Sequence, residues 1–429
     1  MEIAVDDKNK QKPLINKPSF ISRIVSSLIR RAGKLIQRTF KYTFRIVGKL
    51  PVQKNLIIFE SFLGKQYSCN PRAIYEYIEK HYPEYEMYWS VDKRYTSMFD
   101  QEGIPYLKRF SMSWLLNVPR ARYWVSNSRM PLWIPKPKHT TYLQTWHGTP
   151  LKKLAADMKE VHMPGTKTES YKRNFIAESS KWDYLISPNP YSTEIFSRAF
   201  QVDKEKIIES GYPRNDILYT GLNTETITSI KNKLGISQDK KVILYAPTWR
   251  DDQFYSVGKY KFELQLDLNR MKQELGDDYV ILLRLHYLIA DDLDLSSFNG
   301  FAYNLSRHGD INELYLISDL LITDYSSVFF DFANLKRPMM FYAYDIDTYR
   351  DKLRGFYFDF EAQAPGPLVK TTEEIISEIK LFEQNGFHPG DEIEEFNRKF
   401  CGLEDGRAAQ RVVERVFQEQ PSKQVSNNF

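Results

Sequence analysis

The sequence predicts an α/β protein of two doubly wound domains, on three observations: its length, an alternation of short apolar runs with helical stretches, and a restart of that alternation beyond residue 237. A chain of 429 residues is more than one ordinary hydrophobic core serves, and two domains share it comfortably. Short apolar runs alternating with helices are the pattern of parallel strands covered on both faces. In the first half, strands are expected at 56–59, 87–91, 123–125, 142–145, 184–186 and 206–209, with helices over 71–81, 112–118 and 190–200. The segment Tyr219 to Ser237 reads as a boundary built around one helix, 224–234. The pattern restarts at Val242–Tyr245, continues with strands at 279–285, 320–322 and 339–342, and closes with helices at 372–383 and 406–418. The expected division is an arm over 1–50, a first Rossmann-like domain over 51–222 and a second over 223–429.

Composition narrows the class. Hydrophobic residues at 42% and charged residues at 27% are the proportions of a soluble globular protein. The two cysteines, Cys69 and Cys401, are too few for a disulfide framework or a metal cluster and fit a reducing cytoplasm. The first ten residues lack the apolar stretch of a secretory leader, and no run approaches the roughly 18 apolar residues of a spanning helix.

The net charge of +5 hides a strong asymmetry, because residues 8–59 hold 13 Lys or Arg and no Asp or Glu. On a helical wheel Arg23, Arg30, Arg31, Lys34, Arg38, Lys41 and Arg45 share one face, while Ile21, Ile24, Val25, Leu28, Ala32, Leu35 and Ile36 fill the other. Residues 18–50 are therefore expected to lie on an anionic membrane surface. A helix docked on its own protein with a solvated basic face gives the same pattern. Nucleic acid is not an expected partner, since no base-stacking aromatics are interleaved with the charges and no binding module is present.

In open α/β sheets, ligands bind beyond the carboxyl ends of the strands, where helix N-termini favour anions. The most informative such end is Gln144-Thr145-Trp146-His147-Gly148-Thr149-Pro150, an apolar run that stops at a histidine and turns basic at Lys152 and Lys153. Histidine exchanges protons near neutrality, glycine permits close backbone approach, and Pro150 suits the first turn of a helix. Further candidates in the first half are Ser187 to Pro190 and the turn Gly211-Tyr212-Pro213-Arg214-Asn215-Asp216. In the second half they are Thr248 and Arg250, the pair Arg284 and His286 expected on one side of a strand end, and Thr323-Asp324-Tyr325-Ser326-Ser327. Two serines at a helix start can present hydroxyls and amides to phosphate, although Asp324 and Ser326 could equally cap the helix. An arginine fork beside a histidine suits a diphosphate. The acidic pairs Asp251-Asp252, Asp291-Asp292 and Asp345-x-Asp347 read as solvated loops, and no zinc spacing, Gly-x-Gly-x-x-Gly or Walker-type loop occurs. His81, His139, His162, His308 and His388 have no partner pattern and read as structural or surface residues.

Taken in order, Trp146 to Lys152, Gly211 to Asp216, Ala246-Pro247-Thr248-Trp249-Arg250, Arg284-x-His286, Thr323 to Ser327 and Asp331 to Pro338 resemble the CDP-glycerol glycerophosphotransferase family of teichoic acid synthesis. The resemblance covers about residues 55–400. It implies a GT-B-type enzyme, two Rossmann-like domains facing a cleft, that moves glycerol or ribitol phosphate from a CDP-activated donor and releases CMP. It implies His147 and His286 as the catalytic pair. Thr323, Ser326 and Ser327, with Arg284 as a neighbour, would hold the donor diphosphate, and Thr149, Arg214, Asn215, Asp216, Thr248, Arg250 and Asp324 would be further cleft residues. No cofactor or bound metal is implied. The implied acceptor is a saccharide on undecaprenyl diphosphate, which places the enzyme peripherally at the cytoplasmic face of the membrane. A GT-B glycosyltransferase using a sugar nucleotide, or a membrane-surface scaffold without activity, would release no CMP from such donors.

Overall fold

The computed structural model describes residues 20–161, 166–248, 254–256, 259–260, 264–285, 293–348 and 355–418. Two parallel sheets organise them. The first contains β1 (Gln53–Glu60), β2 (Glu86–Val91), β3 (Tyr106–Lys108), β4 (Ala121–Ser126), β5 (Thr141–Gln144), β6 (Tyr184–Ser187) and β7 (Ile207–Glu209), in the order β3-β2-β1-β4-β5-β6-β7. Strand order reverses between β1 and β4, so the turns that follow these strands flank the crevice where doubly wound sheets bind ligands. The second sheet is built on β8 (Lys241–Tyr245). After a small antiparallel ribbon of β9 (Phe254–Ser256) and β10 (Lys259–Tyr260) come β11 (Tyr279–Leu283), β12 (Ala302–Asn304), β13 (Leu320–Thr323), β14 (Met339–Tyr342) and β15 (Leu368–Val369). Its order is β12-β11-β8-β13-β14-β15, with the reversal between β8 and β13.

The central strands read as unbroken apolar runs because both of their faces are covered. Ile57 and Phe59 pack in one layer with Trp89 and Val91, whereas Leu56 and Ile58 pack in the opposite layer with Trp124 and Tyr142. In the second sheet Val242 and Leu244 face one layer, and Ile243 and Tyr245 the other.

Two segments cross between these cores. Leu218, from the short helix Ile217–Thr220, joins the core of the second sheet. The closing helix Ala408–Val413 and the π-turn Glu414–Gln418 return to the first, where Val412, Val413, Val416 and Phe417 pack with Ile57 and Phe59. The expected strand over 279–285 ends at Leu283, leaving Arg284 just past it.

The strands β3, β12 and β15 and the helix Thr168–Ser179 were not anticipated. The three strands are short and all lie at sheet edges, and the helix buries one large apolar side chain, Phe175, so it carries no apolar stripe. The helix Asp391–Phe400 was not anticipated either, although Ile393, Phe396 and Phe400 follow a helical spacing and are buried.

Helix α1 (Phe20–Val47) forms most of the basic arm. Its last turns dock on the first domain: Phe44 and Val47 are buried, and the Phe40 and Phe44 rings lie 5.9 and 5.8 Å from that of Trp114. One to two turns earlier, Leu35 and Ile36 are 65% and 66% exposed, so the protein body does not cover that part of the stripe. Among the described residues no helix is long and apolar enough to cross a membrane.

Candidate active site

Three adjacent strand ends, of β1, β4 and β5, build the setting of His147. Asn127, just after β4, is fully buried and accepts the Phe62 amide at 2.8 Å, while its own side-chain amide donates to Ser61 Oγ at 2.9 Å. These bonds clamp the turn after β1 to the turn after β4. The backbone oxygen of Asn127 lies 2.8 Å from His147 Nδ1. A carbonyl only accepts, so Nδ1 carries the proton and Nε2 keeps its lone pair. Trp146, at φ 52°, takes the left-handed conformation that swings the next residue out of the strand direction, and the Gln144 side chain accepts its amide at 3.0 Å. The Trp146 ring stacks on the imidazole at 4.7 Å, and Phe62 meets it edge-on at 5.6 Å.

Desolvation lowers the His147 pKa to about 4, and the Arg214 guanidinium adds repulsion. The ring nevertheless has solvent-exposed surface, and water reaching that edge tempers the depression. Crowding by protein and the neighbouring cation set its direction: the imidazole is neutral at pH 7. It borders a cavity of about 850 Å³ whose walls come from the turns after β1, β4 and β5 and from the helix Thr168–Ser179. No helix starts at Pro150, contrary to expectation. The chain instead runs on to a bridge between Lys152 and Phe356 of the second domain, and the Pro150 carbonyl accepts the Tyr191 hydroxyl at 2.8 Å.

The second domain meets this turn directly. A Cβ placed on Gly148 would lie 2.8 Å from Ser327 Oγ and 3.4 Å from its Cβ, so glycine is what lets the two turns approach. Ser327 occupies the N-cap position of the short helix Val328–Phe332, but its side chain makes no capping hydrogen bond. Simple capping therefore does not account for this serine. Ser326 is half-buried beside it, and Thr149 is buried after Gly148. Thr323 and Asp324 act as scaffold: the Thr323 hydroxyl donates to the Ala246 carbonyl at 2.7 Å, and Asp324 accepts the Thr248 amide at 2.7 Å. These bonds tie the turn after β13 to the turn after β8.

Arg214, Asn215 and Asp216 are not in an open cleft but in a closed polar seam between the domains. Arg214 is buried; its Nη2 donates to both Asp331 carboxylate oxygens at 2.9 and 2.8 Å, while its Nη1 reaches Cys69 Sγ at 3.3 Å. Asn215 donates to Asp331 and Glu404 and accepts from Asn312. Asp216 accepts the Ala408 and Ala409 amides at the start of the closing helix, both at 2.8 Å. Burial raises the Asp216 pKa to about 6 and that of Glu404 to about 8. Asn70 joins the seam to the histidine turn, since its amide donates to the Thr145 and Trp146 carbonyls and its oxygen accepts the Arg214 amide.

Arg284 is half-buried and directs one guanidinium nitrogen to the carbonyls of Leu305 at 2.7 Å and His308 at 2.6 Å, bracing that loop. His286 and Arg250 lie outside the described residues. His308 pairs with Glu313 at 2.9 Å and His139 contacts the Pro119 carbonyl at 3.0 Å, in keeping with structural roles. Asn70, Asn127, Asp331 and Glu404 were not read as site or seam residues. Asn127 was within reach of the strand-end rule, because Ser126-Asn127-Ser128 follows an apolar strand.

Residues 42–418 match the CDP-Glycerol:Poly(glycerophosphate) glycerophosphotransferase family. The chain is 62% identical over 410 residues to a teichoic acid poly(glycerol phosphate) polymerase of Bacillus subtilis, covering 96% of this chain but only 54% of that relative's length. It is 57% identical over 394 residues to a protein of the same description from Bacillus spizizenii, covering 91% of this chain and 99% of the relative. Among solved structures, the wall teichoic acid polymerase TagF superposes with a TM-score of 0.82 at 45% identity, over 93% of this chain and 98% of that one.

Proposed function

Since the chain belongs to the CDP-glycerol:poly(glycerophosphate) glycerophosphotransferase family, we propose that it transfers glycerol phosphate from CDP-glycerol to a lipid-linked acceptor in teichoic acid synthesis and releases CMP. The observation that carries this reading is the contact of the Gly148 turn with Ser327, which sets a neutral histidine from one domain against an uncapped serine turn from the other. Acceptor and donor then meet across the domain boundary.

In this reading His147 Nε2 takes the proton of the acceptor hydroxyl as its oxygen attacks the phosphorus that bears glycerol. The bond from that phosphorus to the bridging oxygen breaks, and CMP leaves with the electron pair. Ser326 and Ser327 donate to the diphosphate oxygens as negative charge builds on the leaving phosphate. His286 keeps its expected role as the second catalytic histidine. Arg284, with one nitrogen already on backbone carbonyls, acts mainly by holding the 305–308 loop near the donor.

The membrane reading of the arm is part of the same proposal. Basic residues of α1 together with exposed Leu35 and Ile36 suit a surface of anionic lipid, where a lipid-linked acceptor resides. Flotation with anionic vesicles should fall sharply for a Leu35→Glu, Ile36→Glu variant. Undiminished flotation would remove α1 from the account.

The deciding assay supplies purified enzyme with CDP-glycerol, CDP-ribitol or a sugar nucleotide and a lipid-linked acceptor, and follows nucleotide release. CMP should appear with CDP-glycerol and fall about 10²–10⁴-fold in His147→Ala. Turnover of the sugar nucleotide alone would overturn the reading.

A further inference from the structure

Beside His147, the described residues that wall the cavity of about 850 Å³ belong to the first domain, between Leu63 and Glu178. Arg129 is one of its charged lining residues. That guanidinium lies over the Phe175 ring at 4.5 Å and near the Tyr171 ring at 5.5 Å, an arrangement that fixes the cation without using its N–H donors. Among the described residues, no hydrogen bond or ion pair of its side chain is formed. The nearby carboxylate, Glu178, is already engaged: it pairs with Lys181 at 2.8 Å and accepts the Met130 amide at 3.0 Å. Lys167, exposed, adds a second cation to the lining. At the same cavity Leu63 and Leu132 are exposed apolar side chains.

An arginine held on aromatic faces with its donors open is a receptor for a phosphoryl group. The donor diphosphate is assigned to the second-domain turn at Ser326 and Ser327, so a phosphoryl group held wholly within the first domain, next to the base, belongs to the other substrate. We propose that this cavity is the acceptor subsite and that Arg129 is the residue that reads the phosphodiester adjacent to the attacking hydroxyl. This inference rests on the glycerophosphotransferase reading above. A volume of about 850 Å³ is within the roughly 300–1,000 Å³ of small-molecule sites, enough for a terminal glycerol phosphate but not for a lipid.

The test measures initial rates of CMP release by wild type, Arg129→Gln and Arg129→Lys, varying CDP-glycerol and a lipid-linked acceptor that ends in glycerol phosphate. Soluble glycerol phosphate oligomers serve as competitors. Losing a charge-assisted contact should raise the acceptor KM about 10–100-fold in Arg129→Gln, weaken inhibition by the oligomers to the same extent, and leave the CDP-glycerol KM and thermal stability unchanged. Arg129→Lys should fall between. An unchanged acceptor KM, unchanged oligomer inhibition, or a rise confined to the CDP-glycerol KM would overturn the proposal while leaving wild-type transfer intact. Absence of CMP release from the wild type would instead overturn the reading on which it rests.

Discussion

The turns at His147 and at Arg214 begin from the same description and end in opposite states. Each follows a strand of the first sheet, contains glycine and proline, and carries side chains suited to phosphate chemistry. His147 keeps one nitrogen on a carbonyl and leaves the other toward a cavity. Arg214 has its guanidinium paired with Asp331 and Cys69, and its neighbours Asn215 and Asp216 are equally occupied. A strand-end position therefore selects candidates but does not separate a ligand group from a domain fastener. What separates them is whether charged and polar partners from the rest of the chain already engage the side chain.

The sharpest way to break that contrast is to remove both side chains. Arg214→Ala strands the Asp331 carboxylate in a buried seam and should destabilise the protein by about 3–5 kcal/mol, read by denaturant unfolding. His147→Ala should leave the unfolding midpoint near that of wild type. If the two variants were equally stable, the seam would not be a fastener.

Next in size is a pH effect confined to the seam. Glu404 has its pKa raised from 4.5 to about 8 by burial. Below about pH 4.5 it is protonated in both folded and unfolded chains. Between there and about pH 8 the unfolded chain ionises while the folded one holds its proton, so this contribution to stability declines as pH rises and is gone above about 8. Glu404→Gln keeps an acceptor for the Tyr212 amide and should flatten the slope between pH 5 and 8 in melting experiments. An unaltered slope would assign it to other groups.

Smaller effects are expected at the open turn. Asn127→Ala frees the clamp on Phe62 and Ser61 and loosens the carbonyl that orients His147. The expected loss in kcat/KM is about 10–100-fold, with little change in stability; because the Asn127 carbonyl raises the imidazole pKa against burial, the acid limb of the pH profile should move further below the ordinary histidine range. A lower rate with an unmoved acid limb would make Asn127 structural only. Gly148→Ala brings a methyl group against Ser327, and the strain of about 1–3 kcal/mol should slow transfer while sparing the acceptor KM. Wild-type rates in this variant would mean that the two turns need not touch.

Both sheets, their strand directions and the histidine turn were legible because buried parallel strands write continuous apolar runs and polar groups cluster at their ends. The edge strand β3 was not, since only Leu107 of its three residues is buried. The role of Arg214 was hidden because its partner stands 117 positions away. Asn127 acts on His147 through a backbone oxygen, which no side-chain pattern announces. The crossing of the closing helix to the first sheet was equally silent, as Val412 and Val416 would satisfy either core.

The central claim is that His147 stands in its turn as a neutral base with the proton on Nδ1. Nitrogen-15 NMR of histidine-labelled enzyme, titrated from pH 4 to 8 and assigned with His147→Ala, tests it directly. The account predicts a neutral imidazole at pH 7, an Nδ1–H tautomer and a midpoint below the usual 6.5. An imidazolium at pH 7, or a proton resident on Nε2, would contradict it.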